Sequence, residues 1–282
     1  SSNAEVDYVI EFNNKIVPIS DALVPVTDLA VLRGYGVFDL AYAKENKIFY
    51  GTEHLKRFQN SAKILSLCFP YQIPEIEKIS RSLLEKNNYA ESTVRWVLTG
   101  GMENNGIGEK PNLFIINEEL KPFPVECYEN GITIQTIDAK REIPQAKTLN
   151  YQIYYSRLKY FKKNNIFELL FAPKEVVLEC ATANIFVVKH NIVKTPRKDI
   201  LPGITRSVVI DLCRKNNINI SETKITLTEL LDADEIFVTS TTKKIMPVTK
   251  IDNKYIGNGE VGKIVQNISA LFRSFEKDYF SK

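Results

Sequence analysis

The chain has 282 residues, 44% hydrophobic and 25% charged, enough for one large core or two smaller ones. Its 37 lysines and arginines against 34 acids leave a net charge of +3 with both signs interspersed, so no electrostatic footprint for nucleic acid is present. The longest apolar runs, such as "ANIFVV", are far too short to span a bilayer.

In chain order, the opening "SSNA" resembles a cloning scar and is set aside. "DYVIEFNNKIVPI" predicts two short strands around a turn at Asn13-Asn14, and "GVFDLAYAKENKIFYG" repeats the arrangement around Lys44 to Asn46. "TEHLKRFQNSAKILSL" switches to helical period, with Leu55, Phe58, Ala62 and Leu65 on one face and Thr52 as N-cap. A second helix follows Pro74, and "STVRWVLTGG" and "NLFIINEEL" are strands around the loop Gly100 to Gly108.

"KPFPVECYENG" is irregular and carries two prolines, which places a linker at 121–127 between an N-terminal domain at 5–120 and a C-terminal domain at 128–282. Beyond it, "ITIQTI" is a strand and Leu149 to Asn164 a helix. "ELLFAP" and "VVLECATANIFVVKHNIVKTP" form a strand series with a hairpin turn at His190. Gly203 precedes the helix "TRSVVIDLCRKNN", and "VGKIVQNISALFRSFEKDYF" is an amphipathic closing helix. Hairpins are frequent and strands do not alternate strictly with helices, so the expected class is α+β in two domains.

The scarce residue types narrow the chemistry. Cys68, Cys127, Cys180 and Cys213 form no Cys-x-x-Cys pair, and no signal-peptide pattern opens the chain. They read as free thiols in a reducing cytoplasm. With only His54 and His190, a tetrahedral zinc site lacks clustered ligands. Neither histidine has the setting of a general base in a Ser-His-Asp triad.

Lys147, just after Pro144, stands at the head of the expected helix. A cation there opposes the helix dipole, which lowers the amine's pKa as a Schiff-base nucleophile requires; the ordinary alternative is a solvated lysine. Glu179 lies among apolar strand residues and needs a partner. It is either an edge-strand charge or a carboxylate able to hold a pyridinium nitrogen protonated. "ILPGITRS" leaves the first helical N–H groups, at Ile204 and Thr205, open to an anion. Ser240, Thr241 and Thr242 in "VTSTTKK" could add donors, and Arg57 by itself reads as a surface cation.

Together, "HLKRFQNSAK", "KTLNY", "LECATANIF", "LPGITR" and "TSTTKKIMPV" resemble, in order and spacing, the class IV aminotransferases, the fold-type IV pyridoxal-phosphate enzymes. That group includes branched-chain and D-amino-acid aminotransferases and aminodeoxychorismate lyase. The resemblance runs from "VTDLAVLRGYGVFD" to Pro247 and implies a smaller N-terminal domain, a larger C-terminal domain with mixed sheets, and a homodimer. It implies that Lys147 carries pyridoxal 5'-phosphate and shuttles the proton, and that Glu179 faces the pyridine nitrogen. By the same resemblance Tyr151 lies near the phenolic oxygen, and Arg57, Ile204, Thr205 and Thr241 form the phosphate cup.

For the substrate, the resemblance offers Tyr35, Arg95 and Thr242. D-amino-acid enzymes of the group typically carry an Arg-x-His trap in the loop that here reads "TGGMENNGIG", which has neither residue. Branched-chain enzymes carry Tyr-x-Arg in the strand; Arg95 matches, with Thr93 in place of the tyrosine, and Asp39 stands where glutamate is common. The expected activity is transfer of an amino group between a branched-chain or similar apolar amino acid and 2-oxoglutarate. The lyase comes next and the D-amino-acid enzyme after it; outside enzymes, the alternative is a cofactor-binding protein without turnover.

Overall fold

The structure is a computed structural model, and it describes residues 8–11, 15–104 and 107–282. The chain divides into two units, one running to Lys121 and taking in Ala146–Asn150, the other made of Pro122–Gln145 and Tyr151–Lys282. The short segment around Lys147 thus belongs with the first unit, a return that lies well beyond the expected linker.

In the first unit, β1 (Tyr8–Glu11) and β2 (Lys15–Pro18) pair antiparallel; the turn at Asn13-Asn14 lies outside the described residues. Helix α1 (Leu29–Arg33), β3 (Gly36–Lys44) and β4 (Lys47–Ile48) follow, then α2 (Gly51–Ile64), α3 (Ile73–Asn87) and β5 (Glu91–Thr99). The expected Gly100 to Gly108 loop holds β6 (Met102–Asn104) and the start of β7 (Ile107–Glu109), paired with each other, before β8 (Leu113–Glu119). An antiparallel sheet orders these strands β2-β1-β8-β5-β3-β4.

Period-two alternation gives the sheet two different faces. Val37, Ala41, Val94, Trp96, Leu98 and Ile115 are buried together with Leu55, Phe58 and Ala62 of α2 and Ile76 and Leu83 of α3. The intervening residues Phe38, Arg95, Val97 and Ile116 are only partly buried. The helical period read for α2 holds, but its cap does not: the chain enters at Tyr50 in the left-handed region, and Thr52 instead donates to Glu77 at 2.5 Å. A neighbouring helix offered that hydroxyl an acceptor.

The second unit opens with α4 (Glu126–Glu129), where the sequence reads as irregular, and β9 (Ile132–Ile137). The single helix expected over Leu149 to Asn164 is instead two short ones, α5 (Gln152–Tyr155) and α6 (Leu158–Lys163). Then come β10 (Glu168–Phe171), β11 (Val176–Val177), β12 (Asn184–Lys189), β13 (Ile192–Pro196) and α7 (Ile204–Lys215). The chain ends with β14 (Ile220–Thr223), β15 (Ile225–Thr226), α8 (Leu227–Leu231), β16 (Glu235–Ser240), β17 (Lys244–Ile251), β18 (Lys254–Tyr255) and α9 (Lys263–Ser281).

The larger sheet runs β10-β9-β17-β16-β12-β13-β14, with β18 on β17, and mixes parallel and antiparallel pairs. Between β12 and β13, His190 and Asn191 both have positive φ, the backbone of a tight two-residue hairpin turn, as the sequence predicts. Ile185, Val187, Ile236, Val238, Met246 and Val248 form its core, and on the adjacent register Phe186 stacks on Phe237 at 4.7 Å. The α+β class expected from the sequence is the class observed.

Candidate active site

In the first unit a cluster of charged side chains sits between β3 and α2. Asp39 points to the helix side of the sheet and is fully buried, so it must be paired. Both its oxygens are taken by Arg57, whose Nε and Nη2 each donate at 2.8 Å, and His54 Nδ1 lies 2.7 Å from Oδ1. Spacings of 15 and 18 residues put both partners on α2, three positions apart on one helix face. Arg57 is therefore a buried ion-pair residue, not the solvated surface cation its isolated sequence context suggests.

Burial pushes the Asp39 carboxyl up, but the Arg57 guanidinium and the His54 hydrogen bond outweigh it and hold Asp39 well below the usual carboxylate range. Burial pulls the His54 imidazole down further than its bond to Asp39 raises it, and the charges of Arg57 and Lys147 add to the lowering. A neutral His54 beside an ionised Asp39 must donate from Nδ1.

Lys147 does not head a helix. Thr148 bridges Val37 in antiparallel fashion, the Phe38 amide donates to the Lys147 carbonyl at 2.9 Å, and the Leu149 amide donates to Gly36 at 3.1 Å. The Lys147 amide donates to Ser61 Oγ at 3.0 Å. With these backbone groups satisfied in extended form, the segment has no need of helical bonds. Gly36 makes the approach possible: a Cβ there would lie 2.6 Å from Leu149 Cδ1 and 2.8 Å from the Leu98 carbonyl. Lys147 accordingly stands at no helix N-terminus, and no helix dipole of its own opposes its charge.

The Lys147 ammonium instead stands 4.6 Å from the centroid of the Phe38 ring, and the Arg95 guanidinium lies 5.6 Å from the same ring. Arg95 also faces Glu118 at 3.9 Å. On this sheet face Val97, Phe114 and Ile116, with Leu149, help line a cavity of about 330 Å³. Tyr35 is not brought to this group: its hydroxyl donates to the Leu65 carbonyl at 2.6 Å and its ring packs on the helix-side core. Trp96 also points to that side, its Nε1 donating to Ser80 at 2.9 Å.

In the second unit, Glu179 lies in the turn between β11 and β12 and is 3% exposed. Oε2 accepts from the Leu201 amide at 3.0 Å and from Asn184 Nδ2 at 3.3 Å, while Oε1 faces Arg141 Nε at 3.2 Å. Such partners make it a fixed buried anion and rule out the solvated edge-strand charge. Arg141, which sequence reading missed, lies 4.9 Å from the centroid of the Tyr151 ring. Nothing in "DAKREIPQAK" distinguishes it from its charged neighbours Lys140 and Glu142.

Helix α7 begins after Gly203 with no side-chain cap, so Ile204 and Thr205 lead an N-terminus suited to an anion. Gly203 is pressed against Asn184, whose Oδ1 would lie 2.0 Å from a Cβ. The Asn184 amide also donates to the Leu201 carbonyl at 3.0 Å, so one side chain joins Glu179 to the loop that opens α7. Thr241 and Thr242 occupy the turn between β16 and β17, both partly buried.

The Amino-transferase class IV family profile matches residues 36–251. A candidate branched-chain-amino-acid aminotransferase of Methanocaldococcus jannaschii is 34% identical over 278 residues, covering 94% of this chain and 95% of that one. The chain belongs to the class IV aminotransferases. A D-alanine aminotransferase of Listeria monocytogenes is 30% identical over 92% of this chain and 93% of its own. The crystal structure of the Escherichia coli branched-chain amino acid aminotransferase superposes with a TM-score of 0.85 at 26% identity, covering 95% and 94% of the two chains.

This class IV aminotransferase is accordingly a pyridoxal-phosphate-dependent enzyme with the two-unit α+β fold of that group. Its residues fit the cofactor's chemistry: a lysine amine held in the first unit, and in the second a buried carboxylate, a phenol on a guanidinium and an uncapped helix N-terminus. Among the described residues no group of three His, Cys, Asp or Glu could hold a metal ion, and no helix is long and apolar enough to cross a membrane. All four cysteines are free thiols.

Proposed function

We propose that this enzyme moves an amino group between a branched-chain or similar apolar L-amino acid and 2-oxoglutarate. The observation that carries the reading is the shared Phe38 ring, on which the Lys147 amine and the Arg95 guanidinium both stand. An amine that accepts and returns the α-proton must lie near a cation that binds the α-carboxylate, and one aromatic ring spaces the two. The cavity beside Val97 and Leu149 is apolar and suits an aliphatic side chain.

Lys147 Nζ would hold the cofactor's aldehyde, and afterwards move the proton at the substrate α-carbon. Ile204 and Thr205 would offer backbone N–H groups to the phosphate, and Thr241 and Arg57 are proposed as its further ligands. Asp39 would orient Arg57 for that task through its two hydrogen bonds. Glu179 would face the ring nitrogen and Tyr151 the phenolic oxygen. When bound, pyridoxal phosphate supplies the electron sink for the substrate carbanion. Thr242 is proposed near the substrate carboxylate, and the enzyme as a homodimer.

The Gly100 to Gly108 loop contains neither arginine nor histidine to grip a D-substrate's carboxylate, which favours the L-series over the D-alanine activity named for relatives at similar identity. The test is a panel of L- and D-amino acids with 2-oxoglutarate, run beside 4-aminobenzoate and pyruvate release from aminodeoxychorismate. L-leucine, L-isoleucine and L-valine should all react, because an apolar pocket separates them by only about 1–3 kcal/mol per methylene. Faster turnover of D-alanine than of every L-substrate overturns the stereochemical reading. Lyase turnover without transamination replaces the assignment altogether.

A further inference from the structure

Arg141 touches both second-unit side chains proposed to meet the cofactor. Its Nε faces Glu179 Oε1 at 3.2 Å, its guanidinium carbon lies 4.9 Å from the Tyr151 ring centroid, and Nη2 donates to the Ala181 carbonyl. The Phe171 ring lies 5.8 Å away on the same group. The side chain is 15% exposed. A buried guanidinium used in three directions has one stable pose, unlike a surface cation.

Its place in the chain adds to this. The backbone leaves the second unit after Gln145 and re-enters it at Tyr151. Arg141 lies on the outgoing arm and Tyr151 is the first residue of the returning one, so their contact closes the base of the excursion that bears Lys147. Through Glu179 and the Ala181 carbonyl the same guanidinium grips the turn between β11 and β12.

We infer that Arg141 is a positioning residue that locks Tyr151 and Glu179 into one unit, so that the phenol and the carboxylate present to the cofactor in a fixed mutual orientation. The inference rests on the proposed roles of those two residues. Charge and shape are both used: the guanidinium carbon lies 4.9 Å from the phenol ring centroid while Nε faces the carboxylate as an ion pair. Lysine can supply the charge only.

The test is a double-mutant cycle on cofactor affinity, measured by equilibrium titration, with Tyr151→Phe and Glu179→Gln made in the natural background and in Arg141→Met. With Arg141 present the two changes should be non-additive by about threefold or more, as for side chains sharing a partner. In Arg141→Met they should become additive, and the visible absorption maximum of the bound cofactor should move as it does in Tyr151→Phe. Arg141→Lys should recover part of the affinity; where Arg141→Met fails to fold, the cycle is run in Arg141→Lys, with reduced non-additivity expected.

Single changes that weaken affinity, with non-additivity unaltered by loss of Arg141, overturn the inference and leave the proposed site standing. If neither Tyr151→Phe nor Glu179→Gln alters affinity or spectrum, the proposed site itself fails, and the inference with it.

Discussion

The amide of Lys147 donates to the hydroxyl of Ser61 at 3.0 Å, and that hydroxyl donates in turn to the Arg57 carbonyl at 2.9 Å. One buried serine therefore fixes the lysine's backbone to the helix that carries Arg57, across 86 residues of sequence. Ser61→Ala should leave the Lys147 amide without its acceptor, at a cost of about 1–3 kcal/mol. Urea unfolding should show that loss with an unchanged slope, and a midpoint equal to the natural protein's counts against the bond.

Arg57 and Asp39 form a second testable pair. Removing Arg57 strands a fully buried carboxylate, so Arg57→Ala should destabilise the protein by about 3–5 kcal/mol even without cofactor. Asp39→Asn made in that variant should recover part of the loss, because the stranded charge is gone. Cofactor affinity should fall in both. Full stability in Arg57→Ala contradicts the buried ion pair.

The pH dependence follows from the same cluster. His54 is held below its ordinary value and Asp39 below the carboxylate range, so on acidification both take up protons more readily in the unfolded chain. His54's contribution is complete above about pH 6.5 and is lost as pH falls below it; Asp39's is lost only below about pH 3.9. Between pH 7 and pH 5, urea unfolding of the natural protein should therefore weaken with a steeper slope than that of His54→Gln. Parallel slopes would mean that His54 titrates as an exposed histidine does.

Much of this was legible in the sequence where the signal is local. The helical stripe of α2 through Leu55, Phe58 and Ala62 is buried as its spacing requires, and Glu179 among apolar strand residues is held by specific partners. What stayed hidden depends on distant contacts. Lys147 looks helical until Ser61 and Gly36 supply its segment with bonds in extended form, and Arg57 looks exposed until Asp39 is seen on the strand behind it. Arg141 carries no local signal at all, because its partners lie 10 and 38 positions further along the chain.

The most direct measurement is borohydride reduction of the holoenzyme, followed by proteolysis and mass spectrometry of the cofactor-bearing peptide. The label should sit on Lys147, and Lys147→Ala should abolish it while the protein remains folded. A label on any other lysine, or an enzyme that stays colourless with added pyridoxal phosphate, contradicts the placing of the catalytic amine on Phe38 beside Arg95.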